Sequence, residues 1–98
     1  MVIEKQFLAQ VKELADLFGW KLYHPFLSKF SARGWPDVAL LRGDRLLLIE
    51  LKTETGQPTP EQAEWLELLE QVPGVEAYLW KPSDFDDIAE ILRRNERP

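Results

Sequence analysis

Two acidic residues and a lysine lie at the ends of two apolar segments that predict a β-hairpin. The first segment follows Asp37, the second ends at Glu50, and Gly43 and Asp44 lie between them. A two-residue Gly-X loop between apolar runs is typical of an antiparallel hairpin with a primed turn. Pairing residues outward from that loop places Asp37 directly opposite Glu50. Because side chains alternate between the faces of a strand, Lys52 lies on the same face as Glu50.

Two opposed carboxylates repel each other, since facing residues of an antiparallel pair have β-carbons about 4.5–5.5 Å apart. A divalent cation turns that repulsion into a binding site, because hard cations are coordinated by carboxylate and carbonyl oxygens. The apolar run before Glu50 is continuous, as expected for a strand covered on both faces. Glu50 and Lys52 then lie at the carboxyl end of this strand, where open α/β sheets place their sites. The pattern predicts a metal-binding group with a lysine beside it.

The composition excludes several classes of protein. The 98 residues are 45% hydrophobic and 30% charged, which is typical of one globular domain spanning residues 1–98. No cysteine is present, so disulfides and thiolate metal sites are excluded and a reducing compartment is expected. The first residues lack the pattern of a signal peptide, and no run approaches the ~18 apolar residues of a membrane span. We therefore expect a cytoplasmic protein.

The net charge of −5 is unevenly distributed along the chain. Residues 1–52 carry eight basic and six acidic residues, whereas residues 53–98 carry four basic and eleven acidic residues. A phosphate-binding surface is therefore expected in the first half. There, Lys29, Ser31 and Arg33 alternate with aromatic residues, which suits phosphate contact and base stacking, although aromatic residues in such a loop also anchor it to a core. We take these three residues as candidate DNA contacts.

Periodicity predicts the remaining elements. Apolar residues at helical spacing predict a helix over 2–18, and residues 20–24 predict a short strand. After the hairpin, a helix begins at Pro60 and ends before Pro73, a strand covers 75–80, and a last helix has Ser83 as its N-cap. The strand-helix-strand passage implies a parallel pair with a right-handed crossover. We predict an α/β fold with a mixed four-stranded sheet flanked by helices.

Three further polar residues have two interpretations each. Glu4 lies at the border of the apolar stripe of the first helix, where it either complements the helix dipole or reaches the hairpin site. Gln62 completes a capping box with Thr59, but it also begins the apolar stripe of its helix and can point toward the sheet. His24, the only histidine, ends the predicted strand and is more simply structural than catalytic.

Two parts of the sequence resemble a known group of nucleases. Asp37 after Pro36, together with Glu50-Leu51-Lys52, resembles the PD-(D/E)xK nuclease signature. The longer strings are similar to the virus-type replication-repair nuclease (VRR-NUC) domain in its stand-alone phage and bacterial type: Gly34-Trp35-Pro36-Asp37, the run from Glu50 to Gly56, and Thr59-Pro60-Glu61-Gln62. The similarity extends from Glu4 to about Leu92. It implies a restriction-endonuclease-like core of the order αβββαβ, followed by a C-terminal helix.

The same resemblance implies roles for individual residues. Asp37, Glu50 and the backbone carbonyl of Leu51 would be ligands of Mg²⁺ or Mn²⁺, and Glu4, which matches an acidic residue of the family, would be a further candidate ligand. Lys52 would orient or help to deprotonate the attacking water, and Gln62 would support the site. The resemblance also implies a homodimer that cuts branched DNA, such as four-way (Holliday) junctions or flaps, in replication, recombination or repair.

The sequence therefore predicts a metal-dependent DNA endonuclease with Asp37, Glu50, Lys52 and Gln62 as its catalytic residues. Two alternatives remain open. One is a catalytically silent nucleic-acid-binding module of the same fold, and the other is an acidic protein-interaction domain whose hairpin charges are solvated.

Overall fold

Helices cover both faces of a mixed four-stranded sheet in the computed structural model, which describes residues 4–25 and 32–97. The elements are α1 (Glu4–Leu17), β1 (Lys21–Tyr23), β2 (Val38–Arg42), β3 (Arg45–Leu51), α2 (Pro60–Glu70), β4 (Val75–Trp80), a 3₁₀ turn (Pro82–Asp84) and α3 (Phe85–Arg93). This order confirms the predicted α/β fold class. Within the two described ranges, no helix has the length and apolar character needed to cross a membrane.

The sheet has the strand order β1-β2-β3-β4, in which only β3 and β4 run parallel. The β2–β3 hairpin pairs Arg42 with Arg45 and Val38 with Ile49, which confirms the register predicted from the two-residue loop. Gly43 has a φ of +60° and Asp44 does not have a positive φ, as in a type II′ turn. A one-residue slip would turn Glu50 to the other face, so this turn decides where the acid lies.

The core fills the face of the sheet that α1 and α3 cover. Its fully buried members include Phe7 of α1, Leu47 and Ile49 of β3, and Ile88 and Leu92 of α3. The opposite face of β3 meets α2, whose Gln62 contacts Glu50. Because β3 is covered on both sides, almost its whole length is buried, as its continuous apolar run predicts.

Several predicted boundaries differ from the structure. The first helix is described from Glu4 to Leu17, the first strand is limited to Lys21–Tyr23, and residues 1–3 lie outside the described ranges. The prediction of Ser83 as the N-cap of the last helix is wrong. Instead, the Asp84 carboxylate accepts a hydrogen bond from the N–H of Lys81 at 2.9 Å, and this closes the 3₁₀ turn that precedes α3. The N–H of Ser83 donates to the Glu54 carboxylate at 3.0 Å.

A buried ion pair fixes the sheet to the end of α3. Arg45 donates to both oxygens of the Glu76 carboxylate at 2.8 Å, and both side chains are almost fully buried. Arg45 also donates to the carbonyls of Ile91 and Arg94, near the carboxyl end of α3, where a cation complements the helix dipole. Burial by itself would raise the pKa of Glu76, but the donors from Arg45 and Tyr78 lower it below its usual value.

The loop before Asp37 is packed directly against the start of α2. Gly34 has a φ of +87°, and a β-carbon on it would lie 2.6 Å from the carbonyl carbon of Glu61. The indole N–H of Trp65 donates to the carbonyl of Arg33 at 2.9 Å, and Trp35 packs edge to face on Trp65 at a ring distance of 4.9 Å. These contacts fix the backbone that leads into Asp37.

Gly34→Ala tests this close approach, with Gly19→Ala as the matched control. Gly19 also has a positive φ, but a β-carbon on it would meet no atom within 4 Å. We expect Gly19→Ala to lower the free energy of unfolding by about 1–2 kcal/mol, the usual cost of placing a residue with a β-carbon in the left-handed backbone conformation. Gly34→Ala adds a backbone clash and should cost about 3 kcal/mol or more. Chemical denaturation measures both, and equal losses would contradict the close packing on α2.

Candidate functional site

Asp37 and Glu50 lie at neighbouring strand ends. Asp37 directly precedes β2, and Glu50 is the last residue but one of β3. Continuing the hairpin register one step beyond the Val38–Ile49 pair brings the two acids opposite each other. One carboxylate oxygen of Asp37, Oδ2, accepts the N–H of Leu51 at 3.1 Å, which fixes this side chain across the end of the hairpin.

The carboxylate of Glu50 is buried among polar side chains. Only 2% of the residue is exposed. Its Oε2 atom accepts the side-chain N–H of Gln62 at 3.0 Å and lies 3.4 Å from Nζ of Lys52. Its Oε1 atom is buried and meets no hydrogen-bond donor from the described residues. The structure thus brings Asp37, Glu50, Lys52 and Gln62 together, as the sequence predicts.

Burial and the neighbouring acid make Glu50 hard to ionise. The pKa of Glu50 is raised to about 8, mainly because burial removes the carboxylate from water and secondly because of the nearby charge of Asp37. A protonated Glu50 can also donate to Asp37, which favours the neutral form, whereas the Lys52 ammonium opposes the shift. The pair therefore holds a proton near neutral pH unless another cation replaces it.

The donor atoms of this site fit a hard divalent cation. A buried carboxylate oxygen without a donor is satisfied either by a proton or by a metal ion. Asp37, Glu50 and the Leu51 carbonyl would supply only oxygen ligands, the type that Mg²⁺ and Mn²⁺ prefer. Among the residues described, no three His, Cys, Asp or Glu side chains converge on a metal position. Such a site would therefore rely on two acids and leave further positions to the backbone, water and phosphate, as is usual for Mg²⁺.

Gln62 serves the helix and the site together. The backbone N–H of Gln62 donates to the Thr59 hydroxyl at 3.1 Å. The side-chain oxygen of Gln62 accepts the backbone N–H of Thr59 at 2.9 Å, and the two bonds complete the predicted capping box. The side-chain nitrogen remains free for Glu50. The side-chain amide of Gln62 therefore uses its oxygen for the helix cap and its nitrogen for the carboxylate of Glu50.

The remaining predicted site residues are less closely associated with Asp37 and Glu50. Glu4 lines a cavity of about 290 Å³ that Asp37 and Leu51 also line, so α1 brings it to the edge of the site. Arg33 is exposed, and its backbone carbonyl accepts the indole N–H of Trp65. Lys29 and Ser31 lie outside the described residues.

His24 is a neighbour of the site that sequence reasoning does not include. Its Nδ1 atom lies 2.9 Å from the carbonyl oxygen of Asp37, and it lines the same cavity as Glu4. Because a carbonyl only accepts, this hydrogen bond requires the proton on Nδ1. The signal that would have found it is the pairing of β1 with β2, in which Tyr23 faces Ala39 and His24 comes next. The sequence alone does not give that register.

The fold and the strand order define a restriction-endonuclease-like α/β domain. A solved structure titled "VRR_NUC domain" superposes on the chain with a TM-score of 0.74 and covers 95% of this chain and 97% of that one, at 20% sequence identity. The chain thus has the fold of a VRR-NUC domain, which confirms the fold that the sequence resemblance implies. No protein-family model and no curated protein sequence matches it.

The raised pKa of Glu50 predicts an unusual pH dependence of stability in metal-free buffer. The folded protein holds a proton that the unfolded chain releases at its ordinary pKa of 4.5, so stability falls as pH rises from 4.5 to about 8. Glu50→Gln keeps the shape but does not titrate. We expect the wild type to lose more than about 1 kcal/mol relative to Glu50→Gln across this window, the equivalent of one pKa unit. Urea denaturation in EDTA measures the difference, and parallel curves would contradict it.

The double role of Gln62 is tested by Gln62→Ala against Thr59→Ala. Both changes break the capping box and should each lower the free energy of unfolding by about 1 kcal/mol. Only Gln62→Ala removes the donor to Glu50. We expect it to weaken Mn²⁺ binding by about 10- to 100-fold, as loss of an outer-shell partner does, while Thr59→Ala binds nearly normally. Calorimetric titration with Mn²⁺ distinguishes the two, and equal affinities would limit Gln62 to the helix cap.

Proposed function

We propose that this protein is a Mg²⁺- or Mn²⁺-dependent endonuclease that hydrolyses phosphodiester bonds in DNA. The observation that carries the proposal is the buried Oε1 atom of Glu50, which faces no donor from the described residues while Asp37 lies opposite. A structure that needed only to fold would gain nothing from this arrangement. The similarity in fold to a VRR_NUC domain supports the same conclusion.

Each residue of the site has a task in this reaction. Asp37, Glu50 and the Leu51 carbonyl would hold the ion, and the N–H of Leu51 keeps the Asp37 carboxylate turned toward the end of β3. When bound, the cation lowers the pKa of a coordinated water and stabilises charge on the phosphate. Lys52 is held 3.4 Å from Glu50, where its ammonium can orient the attacking water and offset the charge that develops on the phosphate. Gln62 keeps Glu50 in place.

The finer parts of the proposal concern substrate and assembly. We propose that residues 1–98 form one nuclease domain that acts as a homodimer on branched DNA, such as four-way junctions or flaps, in the cytoplasm of a bacterium or a phage-infected cell. Support comes from the sequence resemblance to the stand-alone type of the VRR-NUC domain. A domain of this size is also too small to enclose a branched substrate alone.

Cleavage of linear, flapped and four-way-junction DNA with and without Mn²⁺ tests the proposal. We expect metal-dependent cutting by the wild type and a loss of at least about 10³-fold in Asp37→Ala and Glu50→Ala, because each removes a ligand of the ion. Lys52→Ala should lose cutting to a similar degree yet still bind DNA. Asp44→Asn is the matched control, since Asp44 is an exposed acid at the turn of the same hairpin, and it should cut normally.

The outcomes separate the proposal from its two alternatives. A nucleic-acid-binding module would bind these DNAs without cutting them. An acidic interaction domain would neither bind DNA nor respond to metal. A protein with a preformed cation site should instead be stabilised: at a Mn²⁺ concentration about 100 times the Kd, its free energy of unfolding should rise by about 2.7 kcal/mol. Wild-type cutting by Glu50→Ala would refute the assignment of the site.

A further inference from the structure

The sheet is covered unevenly on the face opposite α1 and α3, which we call the outer face. Leu22 of β1 pairs with the core residue Leu40 of β2, so the neighbours of both residues in their strands point to the outer face. Among the helices of the described residues, α2 alone lies on this face, where it packs on β3 and β4. A helix is about 10 Å across and strands lie about 4.8 Å apart, so one helix covers about two strands. The outer face of β1 and β2 therefore has room for a second helix.

Four large apolar side chains are exposed on or beside this uncovered half of the sheet. Tyr23 of β1 and Leu41 of β2 point to the outer face and are 65% and 50% exposed. Leu68 of α2 is 50% exposed, and Val72, just after the end of α2, is 45% exposed. We call these four residues the outer patch.

One row of the sheet connects Leu41 to Val72. Leu41 pairs with Leu46 of β3, and Leu46 pairs with Val75 at the start of β4. The N–H of Val75 donates to the carbonyl of Val72 at 3.1 Å, which places Val72 next to this row. The row lies at the end of the sheet away from Glu50, so the outer patch leaves the candidate site open.

Leu68 and Tyr23 border the same row from two sides. Leu68 follows Trp65 by three residues, so the two lie on one side of α2. That side is the one toward β2, since Trp65 packs on Trp35 in the loop that leads into β2. On the other side of the row, Tyr23 is the diagonal neighbour of Leu41 across the β1–β2 pair. The outer patch thus runs from β1 across the sheet to α2, and contiguous apolar surface of this kind marks an interaction site.

The charges at the two borders of the outer patch have opposite signs. Lys21, which pairs with Leu41, is exposed on the β1 side, and Glu61 and Glu64 are exposed on α2 within two turns of Leu68. None of these three charged residues forms an ion pair with a residue that the structure describes. The acids disfavour DNA as the occupant, whereas a second copy related by a two-fold axis sets Lys21 of each copy against the acids of the other. The patch is therefore complementary to itself.

We propose that two copies of this chain associate through the outer patch, with α2 of each copy lying on the uncovered half of the other copy's sheet. A two-fold axis satisfies both patches at once, because the same surface serves on both sides of the interface. The proposal gives a surface to the homodimer of the proposed function and rests on that part of it. Since α2 also carries Gln62, association would hold the helix that supports Glu50.

Sedimentation equilibrium of the full chain, from about 1 to about 100 µM protein, tests the interface. We expect the wild type to form dimers in this range. Leu41→Glu and Leu68→Glu place a charge in the outer patch and should each raise the dimer dissociation constant at least about 100-fold, since each change occurs twice in a two-fold interface. Leu17→Glu is the matched control, because Leu17 is 73% exposed at the end of α1, outside the patch, and it should leave the constant unchanged. A circular dichroism melt confirms that each variant is folded.

Charge exchange tests the two-fold arrangement. Lys21→Glu should weaken self-association by about 10-fold, and Glu64→Lys should do the same, because each homodimer then sets like charges against each other at both borders. An equimolar mixture of the two variants restores opposite charges at both borders. We expect this mixture to associate about as tightly as the wild type.

The failure of the interface and the failure of the nuclease assignment are distinguishable. A wild type that stays monomeric at about 100 µM overturns the interface, and cleavage by that monomer would leave the nuclease assignment intact. If Leu41→Glu also weakened DNA binding by such a monomer, the patch would belong to DNA instead. Dimers that the Leu41→Glu and Leu68→Glu variants form as tightly as the wild type overturn this surface, as does a charge-exchange mixture that associates no more tightly than either variant alone. A dimer with the expected mutational response that does not cut DNA with Mn²⁺ refutes the nuclease proposal and supports the interface.

Discussion

The repulsion between the buried carboxylate of Glu50 and the half-buried carboxylate of Asp37 is the constraint on which the rest of this structure depends. Glu50 is removed from water and faces Asp37, so its charge is compensated only by Lys52 and by the Gln62 amide among the described residues. Folding must hold these acids together at a cost in free energy, and a bound proton or cation lowers that cost. The hairpin register, the Leu51 N–H that orients Asp37, and the cap of α2 all act to keep the pair in place.

Helix α2 and the candidate site support each other. None of the residues of α2 is fully buried, so apolar packing alone fixes this helix only weakly. Its position is fixed by specific contacts at its first turns: Gly34 against the backbone of Glu61, Trp65 on the carbonyl of Arg33, and Gln62 on Glu50. The loop that carries Asp37 is thereby tied to the helix that supports Glu50. A displacement of α2 would disturb both acids.

The two ends of the sheet are built from different interactions. At the end away from the site, Arg45 and Glu76 neutralise each other in the interior. Arg45 also donates to the carbonyl of Arg94 at the carboxyl end of α3, so the charges of this ion pair are compensated within the protein. At the site end, the Oε1 atom of Glu50 is buried and has no hydrogen-bond donor among the described residues. Charge left uncompensated in this way is available to a ligand, which is why the site end and not the other is the candidate for function.

Local sequence determined the hairpin and the capping box, because a two-residue turn fixes its register and a cap involves residues only three apart. Asp37, Glu50, Lys52 and Gln62 could therefore be brought together without coordinates. Local reasoning misassigned Ser83, since Asp84 reaches back to Lys81 and no pattern ranks the two caps. The contact of His24 with Asp37 and the Arg45–Glu76 pair were decided only by tertiary structure. Each depends on how strands and helices far apart in the chain align, and that alignment is set by the packing of the whole core rather than by any short segment.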